Sequence, residues 1–128
     1  MKARHLITLL LASSSACTSA VVDADASVRP PARMLVDAQE WSLWPSRSSV
    51  PAGRVTVELW NRGEDAHDLR IRRLDQHGLM TGGAQGIGVT GSGAIRQASW
   101  RLRPGRYELY CSMPGHVKRG MHVKLLVR

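Results

Sequence analysis

The chain of 128 residues contains no phenylalanine, only two tyrosines and four tryptophans. Composition therefore leaves the core packing open, with Trp41, Trp44, Trp60 and Trp100 as the candidate anchors. Few aromatics also means few platforms for stacking bases, and no nucleic-acid motif is present, so nucleic acid is not an expected partner despite the positive charge. Cysteine is nearly absent, with only Cys17 and Cys111. If Cys111 is committed to a metal, Cys17 has no disulfide partner. No apolar run in the chain is long enough to span a bilayer. No stretch keeps a helical period over three turns, and there is no internal repeat. Acids are outnumbered, ten against eighteen Lys and Arg, giving a formal charge of +8.

What is present at the start reads as an export signal. Lys2 and Arg4 precede the apolar segment Leu6–Ala12, and small residues follow from Ser13 to Ala20. Such a segment is too short for a membrane span. The expected signal covers residues 1–20, with Thr18-Ser-Ala20 as a small-x-small cleavage site. An alternative is a lipoprotein signal ending before Cys17, which would leave a lipid anchor there, although Ser14 replaces the usual apolar lipobox residue. The expected location is outside the cytoplasm, in a periplasm or its equivalent, free or lipid-anchored. Loss of residues 1–20 removes Lys2, Arg4 and no acid, leaving +6. This field favours acidic partners or an anionic surface and speeds encounter more than it sets the fold. Residues 21–33, with Pro30-Pro31, read as a linker, and residues 34–128 as one domain, expected to be monomeric.

Strand patterns dominate that domain. Val55, Val57 and Leu59 alternate with polar or larger residues, the period of a half-buried strand. His67, Leu69 and Ile71 share one parity, opposite Asp68, Arg70 and Arg72. Ala98, Trp100 and Leu102 form another set, and Pro104-Gly105 marks a turn. Tyr107, Leu109 and Cys111 share a face, as do Met121, Val123, Leu125 and Val127. Residues 75–93, with six glycines from Gly82 to Gly93, read as a long loop. Gly86-Ile-Gly88-Val-Thr-Gly91 matches a dinucleotide fingerprint by letters only, because it lacks the following helix that fingerprint needs. The expected fold is an all-β sandwich of about seven to eight strands.

The chemistry gathers near residues 111–128. Cys111, His116 and Met121 are separated by four residues each, and His67 lies upstream in Asn61-Arg-Gly-Glu-Asp-Ala-His67-Asp-Leu. A thiolate and a thioether are soft donors suited to Cu(I), and imidazole suits either oxidation state. A trigonal pair of His with Cys and a weak axial Met favours electron transfer. Strand parity turns His67, Cys111 and Met121 toward one interior, because successive side chains point to opposite faces. His116 falls in the loop between the last two strands.

These segments resemble the cupredoxins, the blue copper family of plastocyanin and azurin. Asn61-x5-His67-Asp-Leu is similar to the first-ligand motif. Tyr107-Glu-Leu-Tyr110-Cys111-Ser-Met-Pro-Gly-His116 is similar to the penultimate strand and ligand loop. Gly120-Met121-x-Val is similar to the start of the last strand. The Cys-x4-His-x4-Met spacing looks like the rusticyanin and auracyanin branch. The resemblance covers roughly residues 35–128. It implies a Greek-key sandwich and one type 1 copper ion held by His67, Cys111, His116 and Met121. The implied activity is single-electron carriage between redox proteins, not catalysis. It also implies an electron exit at the edge of His116, ringed by Met113, Pro114 and glycine, with Tyr110 as a second route. Asp68 and Ser112 are placed to tie the ligand segments together by hydrogen bonds. The two-copper centre of oxidases needs a second loop cysteine, which is missing.

Other readings stand beside this one. Taken singly, Cys111 is a small buried hydrophobe, Met121 is core and His67 a strand-end histidine; together they allow a cupredoxin fold without copper. A periplasmic copper carrier is the alternative function, but its usual Met- and His-rich segments are missing, with only five scattered methionines. A copper enzyme needs further histidine-built sites, and only His77 and His122 remain in the mature chain. His122 has the outward parity, His77 sits in a polar turn, and Met113 lies too near Cys111 to serve as the axial donor.

Overall fold

The computed structural model describes residues 30–128; the expected export segment, most of the expected linker and Cys17 lie outside the described residues. Nine strands follow in order: β1 (Ala32–Gln39), β2 (Ser42–Pro45), β3 (Ser49–Val50), β4 (Gly53–Asn61), β5 (His67–Leu74), β6 (Met80–Thr90), β7 (Ile95–Leu102), β8 (Gly105–Tyr110) and β9 (His122–Val127). They form two sheets, ordered β2-β1-β4-β7 and β3-β9-β8-β5-β6. β5 and β8 are antiparallel neighbours, yet β6 and β7 separate them in sequence. This over-and-back connection is that of a Greek key. β1 runs parallel to β4, and β3 parallel to β9.

The alternation seen in the sequence carries into the packing. Val55, Val57 and Leu59 of β4 are fully buried, as are Leu69 of β5 and Leu109 of β8. Met34, Val36 and Ala38 of β1 meet the same core, which also holds Trp100, Leu102, Leu125 and Val127. Each buried Val, Leu or Met side chain stabilises the fold by about 1.5–3 kcal/mol relative to exposure. An aliphatic core of this kind accounts for a sandwich built without phenylalanine.

The structure corrects the sequence reading at several points. The strand count is nine, because β2 and β3, of four and two residues, are too short to show an alternation. β1 begins at Ala32, two residues before the expected domain start. Of the four tryptophans only Trp100 belongs to the core; Trp44 is 65% exposed. Asp68, assigned to the outward parity, is buried.

The largest correction concerns residues 75–93. Instead of one long loop they contain β6, eleven residues paired antiparallel with β5. Glycine has no side chain to carry a period, so this strand was invisible to pattern reading. Among its described side chains Ile87 and Thr90 mark an inward face, and both are buried. Gly86 is required by proximity: a Cβ there would lie 2.5 Å from the Leu69 carbonyl oxygen and 2.6 Å from Arg70 Cδ. The fingerprint-like glycines thus line a strand, and a turn to β7 follows, not a helix.

Gly86→Ala should therefore destabilise the fold by about 1–3 kcal/mol, the usual cost of overpacking. Gly88→Ala, whose Cβ would meet only Arg96 at 3.7 Å, should cost less than half as much. Urea unfolding of both variants checks the contrast, and equal stability of the two would contradict the proposed backbone approach.

Candidate metal centre

Antiparallel pairing brings the candidate donors to one end of three adjacent strands. β8 lies between β5 and β9 and runs opposite to both. The start of β5, the end of β8 and the start of β9 therefore coincide. His67 opens β5, Cys111 follows the last residue of β8, and Met121 precedes the first residue of β9. The Cys111 N–H donates to the Met121 carbonyl at 3.1 Å, extending the β8–β9 ladder by one rung. His116 comes from the connecting loop, just before a short 3-10 helix at Val117–Arg119. Its carbonyl accepts from both Arg119 N and Met121 N at 3.1 Å. Gly120, at φ 108°, supplies the left-handed residue that ends this turn and returns the chain to β9.

Three donor atoms converge. His67 Nδ1 lies 3.3 Å from His116 Nδ1, and Cys111 Sγ lies 3.4 Å from the same His116 nitrogen. All three ligand atoms fall within 4.8 Å of one another. His67, Cys111 and Met121 are fully buried, whereas His116 is 9% exposed. Burial pushes the Cys111 thiol above its ordinary value, and the nearby Asp68 charge adds to this. Burial also lowers His116, with His67 contributing, which favours the neutral imidazole.

This donor set fits a soft, borderline metal. A metal about 2.0 Å from nitrogen and about 2.3 Å from sulfur holds its ligands roughly 3.4–3.8 Å apart in a trigonal plane. Two of the three separations, 3.3 and 3.4 Å, lie at or just below the lower end of that range, and all three are within 4.8 Å. Two inward ring nitrogens and a buried sulfur form a poor hydrogen-bonding set by themselves, since a neutral imidazole offers only one N–H.

The supporting hydrogen bonds are extensive. Asp68 Oδ1 accepts from Ser112 N at 2.6 Å, and its Oδ2 accepts from the Ser112 hydroxyl and from Arg70 Nε. Burial alone would raise the Asp68 carboxyl; the two Ser112 donors and Arg70 outweigh it and hold the group below its ordinary range. The expected tie between the two ligand segments is therefore present. Asn61, fully buried, shapes the loop that delivers His67. Its amide donates to the Asp65 and Thr90 carbonyls and its oxygen accepts from Gly63 N.

Two residues near the donors were missed as site residues. Glu40, in the β1–β2 turn, accepts from His67 Nε2 at 3.1 Å and from Asp65 N at 2.8 Å. The Asp65 amide, then its own amide, and to a smaller degree His67, keep its carboxyl below the ordinary value. Trp41, read only as a core anchor, meets the His116 ring edge-on at 4.7 Å, and Arg119 lies 4.2 Å over the indole. No local signal marks either residue, because their partners are 27 and 75 positions away in the chain. The remaining expectations hold differently. His122 is exposed beside Glu108, His77 is exposed, and Met113 is half-buried against the core.

No known family model matches the chain, and no curated protein sequence does either. Solved structures do match. Rusticyanin from Thiobacillus ferrooxidans aligns with a TM-score of 0.60 and 19% identity, over 75% of this chain and 76% of its own. Auracyanin A, a "blue" copper protein from the green thermophilic photosynthetic bacterium Chloroflexus aurantiacus, aligns with a TM-score of 0.58 and 15% identity, over 77% and 99%. A copper-containing nitrite reductase from Thermus scotoductus aligns with a TM-score of 0.57 and 14% identity, over 79% of this chain but 32% of the enzyme. These likenesses establish the fold: the chain adopts the cupredoxin sandwich. Among the described residues no helix is long and apolar enough to cross a membrane.

The Asp68 clamp makes acid stability testable. A carboxyl lowered in the folded state contributes stability that is complete above the unfolded value, about 4, and fades as pH falls below it. Asp68→Asn should remove this component, so that metal-free protein loses less stability between neutral pH and about pH 3 than the parent does. Urea unfolding across that range measures it; parallel curves for the two proteins would refute the clamp.

Proposed function

We propose that the protein is an exported type 1 copper protein that carries single electrons between redox partners. The observation that carries this reading is the convergence of His67 Nδ1, His116 Nδ1 and Cys111 Sγ at the end of three strands. His67, Cys111 and His116 would form the trigonal set, and Met121, a buried residue whose backbone bonds to both Cys111 and His116, the weak axial donor. Copper bound there supplies the Cu(I)/Cu(II) couple. The chain's own contribution is fixed geometry. Three donors sit at the ends of regular strands, one closes a hydrogen-bonded loop, and Asp68 joins the segments. Little rearrangement is then needed when one electron is gained or lost.

Carriage is preferred to catalysis because four donors leave no position for substrate. Beyond the proposed ligands, the described histidines His77 and His122 are exposed and outside the cluster. The nitrite reductase likeness covers a third of that enzyme, and it supports a shared sandwich, not a shared reaction. The excess of basic residues favours acidic docking surfaces on the partners.

Adding Cu(II) to the mature domain should give an intense blue thiolate band that bleaches reversibly with reductant and is missing from Cys111→Ala. A colourless protein, or pale binding indifferent to that substitution, would sink the reading. Electron exchange with an acidic redox protein should slow as ionic strength passes the point where the Debye length falls to about 8 Å. A rate independent of salt would remove the acidic-partner expectation.

A further inference from the structure

The His67 ring has two nitrogens with different partners. Nδ1 faces His116 and Cys111, whereas Nε2 faces outward to Glu40 Oε1 at 3.1 Å. A carboxylate can only accept here, so Nε2 carries the hydrogen and Nδ1 keeps its lone pair. Glu40 is itself held. Its Oε1 also accepts from Asp65 N, two residues before His67, and its side chain is partly exposed at 28%. Space for the carboxylate is provided by Gly63, where a Cβ would collide with both carboxylate oxygens. A turn between β1 and β2 thus reaches across to the other sheet and grips a donor through a pocket with no side chain at Gly63.

We propose that Glu40 is a positioning residue for the metal centre: it fixes the His67 tautomer and orientation, and its negative charge favours Cu(II) over Cu(I). This rests on the copper reading above. A carboxylate behind a ligating histidine raises the basicity of the ring and orients it. The charge reaches the metal through one imidazole, and it adds to the more highly charged oxidation state the greater stabilisation. Neither Asp68 nor Ser112 can set the His67 tautomer, because they hydrogen-bond each other and not the His67 ring.

The experiment separates the two readings. Nitrogen-15 NMR of the metal-free protein reports the His67 tautomer without copper. The parent and Glu40→Gln should both show the Nε2–H form, since a glutamine oxygen still accepts. Glu40→Ala should show a mixture. With copper, Glu40→Ala should lose about 10- to 100-fold in Cu(II) affinity. Glu40→Gln should shift the balance toward Cu(I) by about tenfold, which for one electron is about 59 mV of higher potential. Gly63→Ala, which displaces the carboxylate without removing it, should reproduce the alanine result, and it covers the case in which Glu40→Ala fails to fold. An unchanged tautomer in Glu40→Ala and Gly63→Ala would overturn the positioning role. An unchanged potential in Glu40→Gln would overturn the charge role. A parent protein that binds no copper but shows the tautomer change would retain Glu40 as the partner of His67 and discard only the copper reading.

Discussion

A buried carboxylate, Asp68, holds together the two segments on which the donor cluster depends. It sits next to His67 and accepts both the amide and the hydroxyl of Ser112, which sits next to Cys111. One side chain therefore fixes the spacing of imidazole and thiol through adjacent peptide units. Burial penalises an ionised carboxylate unless its lone pairs are filled. Here Ser112 and Arg70 fill them. The penalty is converted into a geometric requirement, because the charge is tolerable only when both strand ends are in register.

The rest of the sandwich serves that register. β5, β8 and β9 are neighbours, and their pairing runs unbroken from Gly105–Val127 to Tyr110–His122 on one side of β8. Each rung is set by inward residues such as Leu69, Leu109 and Leu125, which would all turn outward if a strand slipped by one position. Core packing and donor placement are thus the same constraint. The interior is close-packed and resists small displacements, so a donor at the end of such a strand inherits its rigidity.

This link explains what was legible in the sequence. Cys111 and Met121 could be placed because they continue the apolar parity of their strands, and His67 because Leu69 and Ile71 extend it. The tie between Asp68 and Ser112 could be read from their positions beside candidate donors. Asp68 nevertheless broke the parity rule, since its burial depends on donors supplied 44 residues later. β6 was hidden because glycine encodes backbone proximity instead of a face. Glu40 and Trp41 were hidden because they act on the site from the opposite sheet's turn. Periodicity describes an element and its own face; it carries no information about which distant loop will lean against that element's end.

The glycine-rich β6 has another role, at the margin of its sheet. It is an outermost strand, and its pairing with β5 shifts register between His67 and Leu69 and again between Ile71 and Arg73. Irregularities of this kind bend a strand and interrupt the even row of amide groups that an incoming chain would need. Among the described residues this border, beside the donor cluster, is therefore a poor template for adding a strand from a second molecule.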